Sequence, residues 1–385
     1  MRARNGACRL KASKPARKEG DDSKRMINVG IDVHKKRCQA CLKDEKGKLI
    51  QELSIPNSTQ GAEQLARLLE SYGEAKIVLE STGNLWTRIY DTLNQSRTAF
   101  KVVLANPNKT RIIAEAKIKN DRMDARVLAD LVRADLVAES YVPTPEIREQ
   151  RALLRQRRSF VNDTVAVKNR IHNLLDKYDL QPHYSDIFGK QGREWLRNLQ
   201  LPPIERTILD VNLKQLQNLE ESIHTLTVKI AQEAINRPDV KLLMGFTGID
   251  YYSAMLLINE MGPITRFPSA KKLVSYAGLA PGIRQSADHT VHGRITRDGN
   301  KYIRWILIEA AQNASRFDPK LRPFYLRVAA KRGHQKAITA AARKMLVSIY
   351  HVLKRQETYH GQRDELLERK ISRLQHTPNT SLQAE

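Results

Sequence analysis

The sequence predicts a chain of the α/β plus α class, in which an α/β domain precedes a long helical region. Short apolar runs rich in β-branched residues occupy residues 26–107, and turn signals separate them, which is typical of strands. Their order is three strands, then helix, strand, helix, strand and helix. Farther along the chain, apolar residues recur every three or four positions, which predicts helices. The strand order predicts a ribonuclease H-like fold for the α/β domain.

The elements of the α/β domain can be taken in chain order. MINVGIDVHK, RCQACLKD and KLIQELSIPN predict three strands within residues 26–57, and DEKGK between the last two is a hairpin signal. Ser58 is placed to cap a helix over residues 58–73. AKIVLES then predicts a buried strand, NLWTRIYDTLNQS a helix and AFKVVLANP another strand. A last helical region is expected from Asn108 to Leu136.

Two long helices are predicted after the prolines of YVPTPE, over residues 146–178 and 203–235. The apolar positions of the second helix alternate mainly by three and four, as in a coiled coil: Leu209, Leu213, Leu216, Leu219, Ile223, Leu226 and Ile230. The two helices could pack on each other within one chain or on a second chain. The pattern leaves both arrangements open.

The region from Pro238 predicts a helix-hairpin-helix element, because KLLMGFTGIDYYSAMLLINEMG contains two apolar helices around a turn at Gly245 to Gly248. Such a turn can offer backbone N–H groups to a phosphate, although an ordinary helix–helix turn has the same pattern. A long polar loop is expected over residues 282–300. Two helices with basic faces, KYIRWILIEAAQNAS and HQKAITAAARKMLVSIYHVLK, follow it.

These patterns divide the chain into five predicted segments. They are a basic disordered arm (1–25), an α/β domain (26–143), a helical coiled-coil linker (144–237), a mostly α C-terminal domain (238–356) and a polar, mobile tail (357–385).

No apolar run has the length of a membrane span, and the amino terminus lacks the apolar core of a signal peptide. We therefore expect a cytoplasmic protein. Its single C-x-x-C, formed by Cys38 and Cys41, argues against a zinc site because no second ligand pair lies nearby.

The charge of the chain favours a polyanionic partner. Lys and Arg number 66 against 42 Asp and Glu, a formal charge of +24. Residues 264–354 alone hold eighteen basic residues and four acidic ones. Basic side chains that neutralise phosphates release counterions, so this excess favours nucleic-acid binding. A merely soluble basic protein is the alternative.

Four acidic residues are candidates for a metal site within this basic chain: Asp32, Glu80, Asp121 and Asp124. In the predicted fold Asp32 lies on the first strand and Glu80 on the fourth, and these strands are neighbours at the sheet centre. The other two acids are three residues apart, so they share one face of a helix. Converging carboxylates are the ligands that Mg²⁺ takes, and bound Mg²⁺ supports phosphoryl transfer. An exposed strand end or the first turn of a helix also accommodates acids without a metal.

The predicted polar loop contains candidates for phosphate binding: Arg284, Arg294, Arg297 and Lys301. Ser286 lies among them, but its own sequence context does not distinguish it from the other serines of the chain. His289 and His292 are equally compatible with plain loop residues and with acid–base groups.

Several ordered motifs resemble those of the DEDD insertion-sequence transposases (the insertion-sequence-110 family). They are VGIDVHK, LESTG, KNDRMDAR, GFTGI, FPSAKKLVSYAGLAP and the loop that follows, and together they span roughly residues 26–355. The resemblance implies an N-terminal domain like the RuvC Holliday-junction resolvase, with the four acids named above binding Mg²⁺. It also implies a C-terminal transposase domain whose serine, Ser286 in GLAPGIRQS, forms a covalent link to DNA. Ala287 follows this serine, where family members commonly have Gly.

The resemblance further implies the partners of the chain. These are donor and target DNA and a structured bridge RNA encoded by the element, whose loops pair with both DNAs. It also implies a homo-oligomer, a dimer or tetramer, in which the acids of one subunit meet the serine of another, and a location at the bacterial nucleoid. The function expected is that of a transposase that cuts and rejoins DNA. A resolvase-like metal nuclease that uses water, and a non-catalytic nucleic-acid-binding protein, are the alternatives.

Overall fold

The computed structural model describes residues 26–81, 83–96, 100–107, 109–110, 121–182, 184–286, 289–296 and 298–377. For residues 81, 283–286, 289–292 and 294 it describes the backbone alone. The chain divides into two units, Met1–Val142 and Pro143–Glu385. The basic arm expected over residues 1–25 lies outside the described residues, and the finer division into five segments stays a prediction.

The first unit contains a mixed six-stranded sheet in the order β3-β2-β1-β4-β5-β6. Its strands are β1 (Ile27–Val33), β2 (Arg37–Lys43), β3 (Leu49–Pro56), β4 (Ala75–Ser81), β5 (Phe100–Ala105) and β6 (Glu139–Ser140). β1 pairs antiparallel with β2 and parallel with β4, and β4 pairs parallel with β5. The expected mixed α/β class is confirmed, and the strand order is consistent with a ribonuclease H-like domain.

Helices cover both faces of this sheet. α1 (Thr59–Glu70) and α2 (Thr87–Asn94) share one apolar core with the residues of β1 that face them, among them Val29 and Ile31. The predicted cap of α1 is present, because the Ser58 hydroxyl accepts a hydrogen bond from the Gly61 N–H at 3.1 Å. α3 (Asp121–Arg133) packs against the opposite face of the sheet.

A glycine in β1 allows α3 to lie unusually close to the sheet. A Cβ atom on Gly30 would lie 2.2 Å from the Ala125 carbonyl oxygen and 2.4 Å from the Ala129 nitrogen. Both neighbours are backbone atoms, so no rotamer change could relieve the overlap. Only glycine therefore permits this approach of helix to strand, and the approach brings α3 over the face of β1 that also carries Asp32.

The second unit is mostly helical. Its helices are α4 (Pro145–Lys177), α5 (Lys190–Asn198), α6 (Pro203–Ala234), α7 (Pro238–Met244), α8 (Tyr251–Met261), α9 (Ala270–Tyr276), α10 (Lys301–Phe317), α11 (Leu321–Arg332), α12 (His334–Arg355) and α13 (Asp364–His376). α4 and α6 pack on each other through residues such as Ile171 and Leu216, which is the intramolecular alternative left open by the sequence. Among the described residues, no helix combines the length and the apolar character needed to cross a bilayer.

The second unit differs from expectation in several places. The short helices α5 and α9 lie in segments for which no element was predicted. The segment predicted as a polar loop forms an antiparallel hairpin of β7 (Pro281–Ser286) and β8 (His289–Ile295). Ile283, Val291 and Ile295 supply β-branched residues that the polar composition obscured. α11 was not expected, because most of it is exposed and it has no apolar face. Part of the tail expected to be mobile is α13, whose Leu374 is fully buried in the core of the unit.

The turn between α7 and α8 is enclosed by the C-terminal segment. The ring of Phe246 stacks on Tyr359 with centroids 4.0 Å apart. The Lys370 ammonium group donates hydrogen bonds to the carbonyls of Met244 (2.7 Å), Phe246 (2.7 Å) and Ile249 (2.8 Å). The two helices and the turn are thus present, while phosphate binding by this turn stays a prediction.

Candidate active site

Two of the predicted acids are neighbours across adjacent strands. Asp32 on β1 lies directly opposite Glu80 on β4 in the parallel register. Opposite residues of a parallel pair point to the same face of the sheet. Both carboxylates therefore lie on the face that α3 covers, near the carboxyl ends of the two strands. The Asp32 side chain is 13% exposed, which leaves it within reach of solvent and of a ligand.

The other two acids, Asp121 and Asp124, lie on α3, as the helical interpretation of their spacing requires. His34 connects this helix with β1, because its Nε2 atom lies 2.9 Å from Asp32 Oδ2 and 3.3 Å from Asp121 Oδ1. Burial raises the pKa of Asp32; His34 opposes that rise, and the negative charges of Asp121 and Asp124 add to it. The carboxylates of strand and helix are thus close enough to repel one another.

This donor set fits a divalent metal ion. Carboxylates that repel one another are stabilised by a cation between them, and hard divalent ions prefer carboxylate oxygens. Ligand atoms of Asp32, His34 and Asp121 all lie within 4.8 Å of one another. The carboxyl ends of β1 and β4, with the facing residues of α3, therefore form a candidate metal centre.

Sequence reasoning missed two residues that shape this centre. Gly30 seats α3 on the sheet, and His34 contacts both Asp32 and Asp121. Residues two apart on a strand point to the same face, so Gly30, Asp32 and His34 follow the period of β1. His34 is the first residue after β1 and lies two positions beyond Asp32. This spacing of two was the signal that could have identified His34 as a neighbour of Asp32.

The residue expected to be the nucleophile lies in the second unit, at the end of β7. Ser286 pairs with His289 of β8 across the hairpin. The side chains of Ser286, Arg284 and Arg294 lie outside the described part of the chain, as does the whole of Arg297. Their expected roles in catalysis and phosphate binding stay predictions.

Of the four predicted phosphate-binding residues, Lys301 has a described side chain. It is the exposed first residue of α10, and its ammonium nitrogen lies 5.3 Å from the ring centroid of Tyr302. This exposure leaves the cation accessible to a polyanion.

A buried polar network fixes the segment that follows the hairpin. Asn300 caps α10 by accepting hydrogen bonds from the N–H groups of Tyr302 (2.9 Å) and Ile303 (3.1 Å). Its amide nitrogen donates to Glu260 Oε2 at 2.6 Å. Glu260 is fully buried and also accepts two hydrogen bonds from Arg155, at 2.6 and 2.8 Å. The segment that follows the hairpin is thus held, through Asn300, by the ion pair between the buried Glu260 and Arg155.

Comparisons with known proteins place these features in one group of enzymes. A DEDD transposase domain of the IS110 type matches residues 29–179, and a domain described as "Transposase IS116/IS110/IS902 family" matches residues 240–326. The first match contains all four acids, and the second contains the β7–β8 hairpin.

Curated relatives align over most of the chain. The transposase for insertion sequence element IS1111A of Coxiella burnetii is 25% identical over 346 residues, which cover 86% of this chain and 90% of the relative. A protein of insertion element IS110 of Streptomyces coelicolor is 24% identical, and the alignment covers 88% of this chain and 96% of the relative. The pilin gene-inverting protein of Moraxella bovis is 25% identical, with coverage of 85% and 95%. The two family matches and these relatives agree, and the chain belongs to the IS110 family of DEDD transposases, as a DNA transposase of an insertion sequence.

Proposed function

We propose that this transposase cuts and rejoins DNA strands through a serine–DNA intermediate, with assistance from a divalent metal ion. The observation that carries the proposal is the position of Asp32 opposite Glu80, beneath a helix that carries Asp121 and Asp124. The two acids of this helix are close enough to shift the pKa of Asp32. A site with several carboxylates can bind the divalent metal ion that assists phosphoryl transfer.

The four acids hold the metal ion, for which we propose Mg²⁺. When bound, Mg²⁺ neutralises negative charge that develops on the phosphate during the transfer. Mg²⁺ suits the site because it is a hard cation and takes carboxylate oxygens. The role of the carboxylates is to hold the ion, and that of α3 is to fix two of them against the strands.

Ser286 is the proposed nucleophile. Its Oγ attacks a backbone phosphorus, so a serine–phosphate bond forms and the bond from phosphorus to a deoxyribose oxygen breaks. The serine loses its proton, and the departing deoxyribose oxygen gains one. The same exchange in reverse, with the hydroxyl of another strand, rejoins DNA. Support comes from the place of Ser286 in the second family match and from the basic residues around it, Arg284, Arg294, Arg297 and Lys301.

Trapping a protein–DNA adduct tests this proposal. The substrate is labelled, nicked DNA that carries the ends of the element, incubated with Mg²⁺ and resolved under denaturing conditions. We expect an adduct with the wild-type protein and none with Ser286→Ala. Ser269→Ala removes an exposed serine elsewhere in the same unit and should retain the adduct.

The outcome separates three classes of protein. Hydrolysed ends without an adduct, unaffected by Ser286→Ala, would identify a metal-dependent nuclease that uses water. DNA binding with neither product would identify a non-catalytic binding protein. An adduct that survives Ser286→Ala would refute the assignment of the nucleophile alone.

We also propose that an RNA encoded by the element guides the protein to DNA at the nucleoid. The support is the resemblance in its ordered motifs and the excess of fourteen positive charges over residues 264–354. RNA transcribed from the flanks of the element should purify with the protein and stimulate adduct formation. A scrambled RNA of equal length is the control, and equal stimulation by both would contradict guidance.

A homo-oligomer is the proposed working form. The seam predicted on α6 faces α4 in the same chain, but a second apolar stripe on α6 is exposed: Ile204 (76%), Ile208 (45%) and Val211 (62%). Residues at this spacing share one face of a helix, and a second copy would bury them. Ile204→Glu should lower the mass measured by light scattering. Gln217→Glu adds the same charge at an exposed position on another face of the helix and should leave the mass unchanged.

A further inference from the structure

We propose that His34 is a nitrogen ligand of the divalent metal ion, which it binds together with Asp32 and Asp121. The proposal rests on the metal site of the proposed function and adds a ligand to the four acids of that site. His34 follows the end of β1 and reaches the centre from the same face as Asp32.

The distances around His34 fit one coordination shell. Metal–ligand bonds of about 2.1 Å at right angles place neighbouring ligand atoms about 3.0 Å apart. His34 Nε2 lies 2.9 Å from Asp32 Oδ2 and 3.3 Å from Asp121 Oδ1. The three ligand atoms lie within 4.8 Å of one another, whereas on one face of an octahedron each pair would be about 3.0 Å apart. A movement of the exposed Asp121 carboxylate toward Asp32 would bring all three atoms into one coordination shell.

The side chain of His34 is available for this role. It is 54% exposed, so the core does not confine the ring, and Nε2 of a neutral imidazole offers a lone pair. Asp121 is 67% exposed and can adjust, whereas Asp32 at 13% is held by the sheet. The fixed carboxylate and the two adjustable groups together form an open site that a substrate phosphate can enter.

A nitrogen ligand changes which ions the site prefers. Imidazole suits transition metals better than a purely oxygen-donor site does, and affinities for such ligands rise along the first transition series. The site should therefore favour Mn²⁺ over Mg²⁺ more strongly than four carboxylates would. Removing His34 should weaken Mn²⁺ binding much more than Mg²⁺ binding.

Electron spin-echo envelope modulation of the Mn²⁺-loaded full-length protein measures this ligand directly. We expect modulation from an imidazole ¹⁴N nucleus in the wild-type protein and its loss in His34→Gln. Mn²⁺ affinity should fall roughly tenfold or more in this variant, while Mg²⁺ affinity, measured by competition, should change less than Mn²⁺ affinity. His360→Gln alters another exposed histidine and should behave as the wild type.

The outcomes separate this inference from the metal site itself. If Asp32→Asn binds Mn²⁺ as well as the wild type, the proposed metal site is wrong. If Asp32→Asn loses Mn²⁺ but the wild type shows no ¹⁴N modulation, the metal displaces His34 and only the inference is overturned. Circular dichroism monitors folding, and His34→Asn serves as a second variant should His34→Gln fail to fold.

Discussion

The close packing of α3 on β1 at Gly30 makes a strong prediction for Gly30→Ala. The new methyl group would lie 2.2 Å from a backbone oxygen, and relief to at least 3.0 Å requires the helix to move by about 0.8 Å. Backbone atoms cannot rotate aside, so we expect destabilisation near the upper end of the range for overpacking, about 3 kcal/mol. The same shift separates Asp121 and Asp124 from Asp32, so Mn²⁺ affinity should fall roughly tenfold.

Two measurements on this variant test the reasoning. Urea denaturation followed by circular dichroism gives the free energy of unfolding, and Mn²⁺ titration by electron paramagnetic resonance gives the affinity. Gly189→Ala is the matched control, because its added Cβ would meet its nearest neighbour at 3.4 Å, an ordinary contact. If Gly30→Ala kept both wild-type stability and wild-type affinity, α3 would not lie against β1 as described.

Three further predictions concern buried groups. Glu260→Ala removes a fully buried carboxylate and leaves its hydrogen-bond donors on Asn300 and on the partly exposed Arg155 without an acceptor, so it should cost about 1–3 kcal/mol in thermal or urea unfolding; wild-type stability would contradict the pairing. Lys370→Met leaves three carbonyls without their donor, so limited proteolysis should cleave α13 sooner than in the wild type; equal rates would argue against its docking. Burial raises the pKa of Cys38 to about 11 and also raises the pKa of Cys41. At pH 8 both thiols are therefore protonated, and neither should react with iodoacetamide until urea unfolds the protein. Mass spectrometry of the labelled peptides measures this, and fast labelling of the native protein would contradict it.

The order of the first five strands could be predicted from the sequence because each apolar run is long and is bounded by turn signals. The position of Asp32 beside Glu80 followed from that order, since parallel neighbours align their carboxyl ends. Strand geometry also bears on Cys38 and Cys41. The two cysteines are three residues apart on β2, so their side chains pack in apolar clusters on opposite faces of the sheet. One metal ion therefore cannot bind both thiols.

The contribution of His34 could not be predicted, because it depends on how close α3 lies to the sheet. That distance is set by Gly30, and glycines within strands also occur at β-bulges and at sharp bends where no helix lies close. The β7–β8 hairpin was hidden for a different reason. Its pairing is made by backbone hydrogen bonds, while its polar side chains give the composition of a loop.

The charge count overstated how many cations are available to a polyanion. Several arginines of α4 have structural contacts within the second unit. Arg158 lies over the ring of Trp305 at 3.6 Å from its centroid, and Arg155 is paired with the buried Glu260. Such contacts cannot be read from composition, because they depend on which aromatic and acidic residues the fold brings to the helix.

Anomalous diffraction from crystals soaked in Mn²⁺ tests the central claim of one metal centre at the carboxyl ends of β1 and β4. We expect an anomalous peak at bonding distance, about 2.2 Å, from carboxylate oxygens of Asp32 and Glu80, with Asp121 or Asp124 also coordinating. A peak confined to other residues, or no peak at a saturating concentration of Mn²⁺, would contradict this claim.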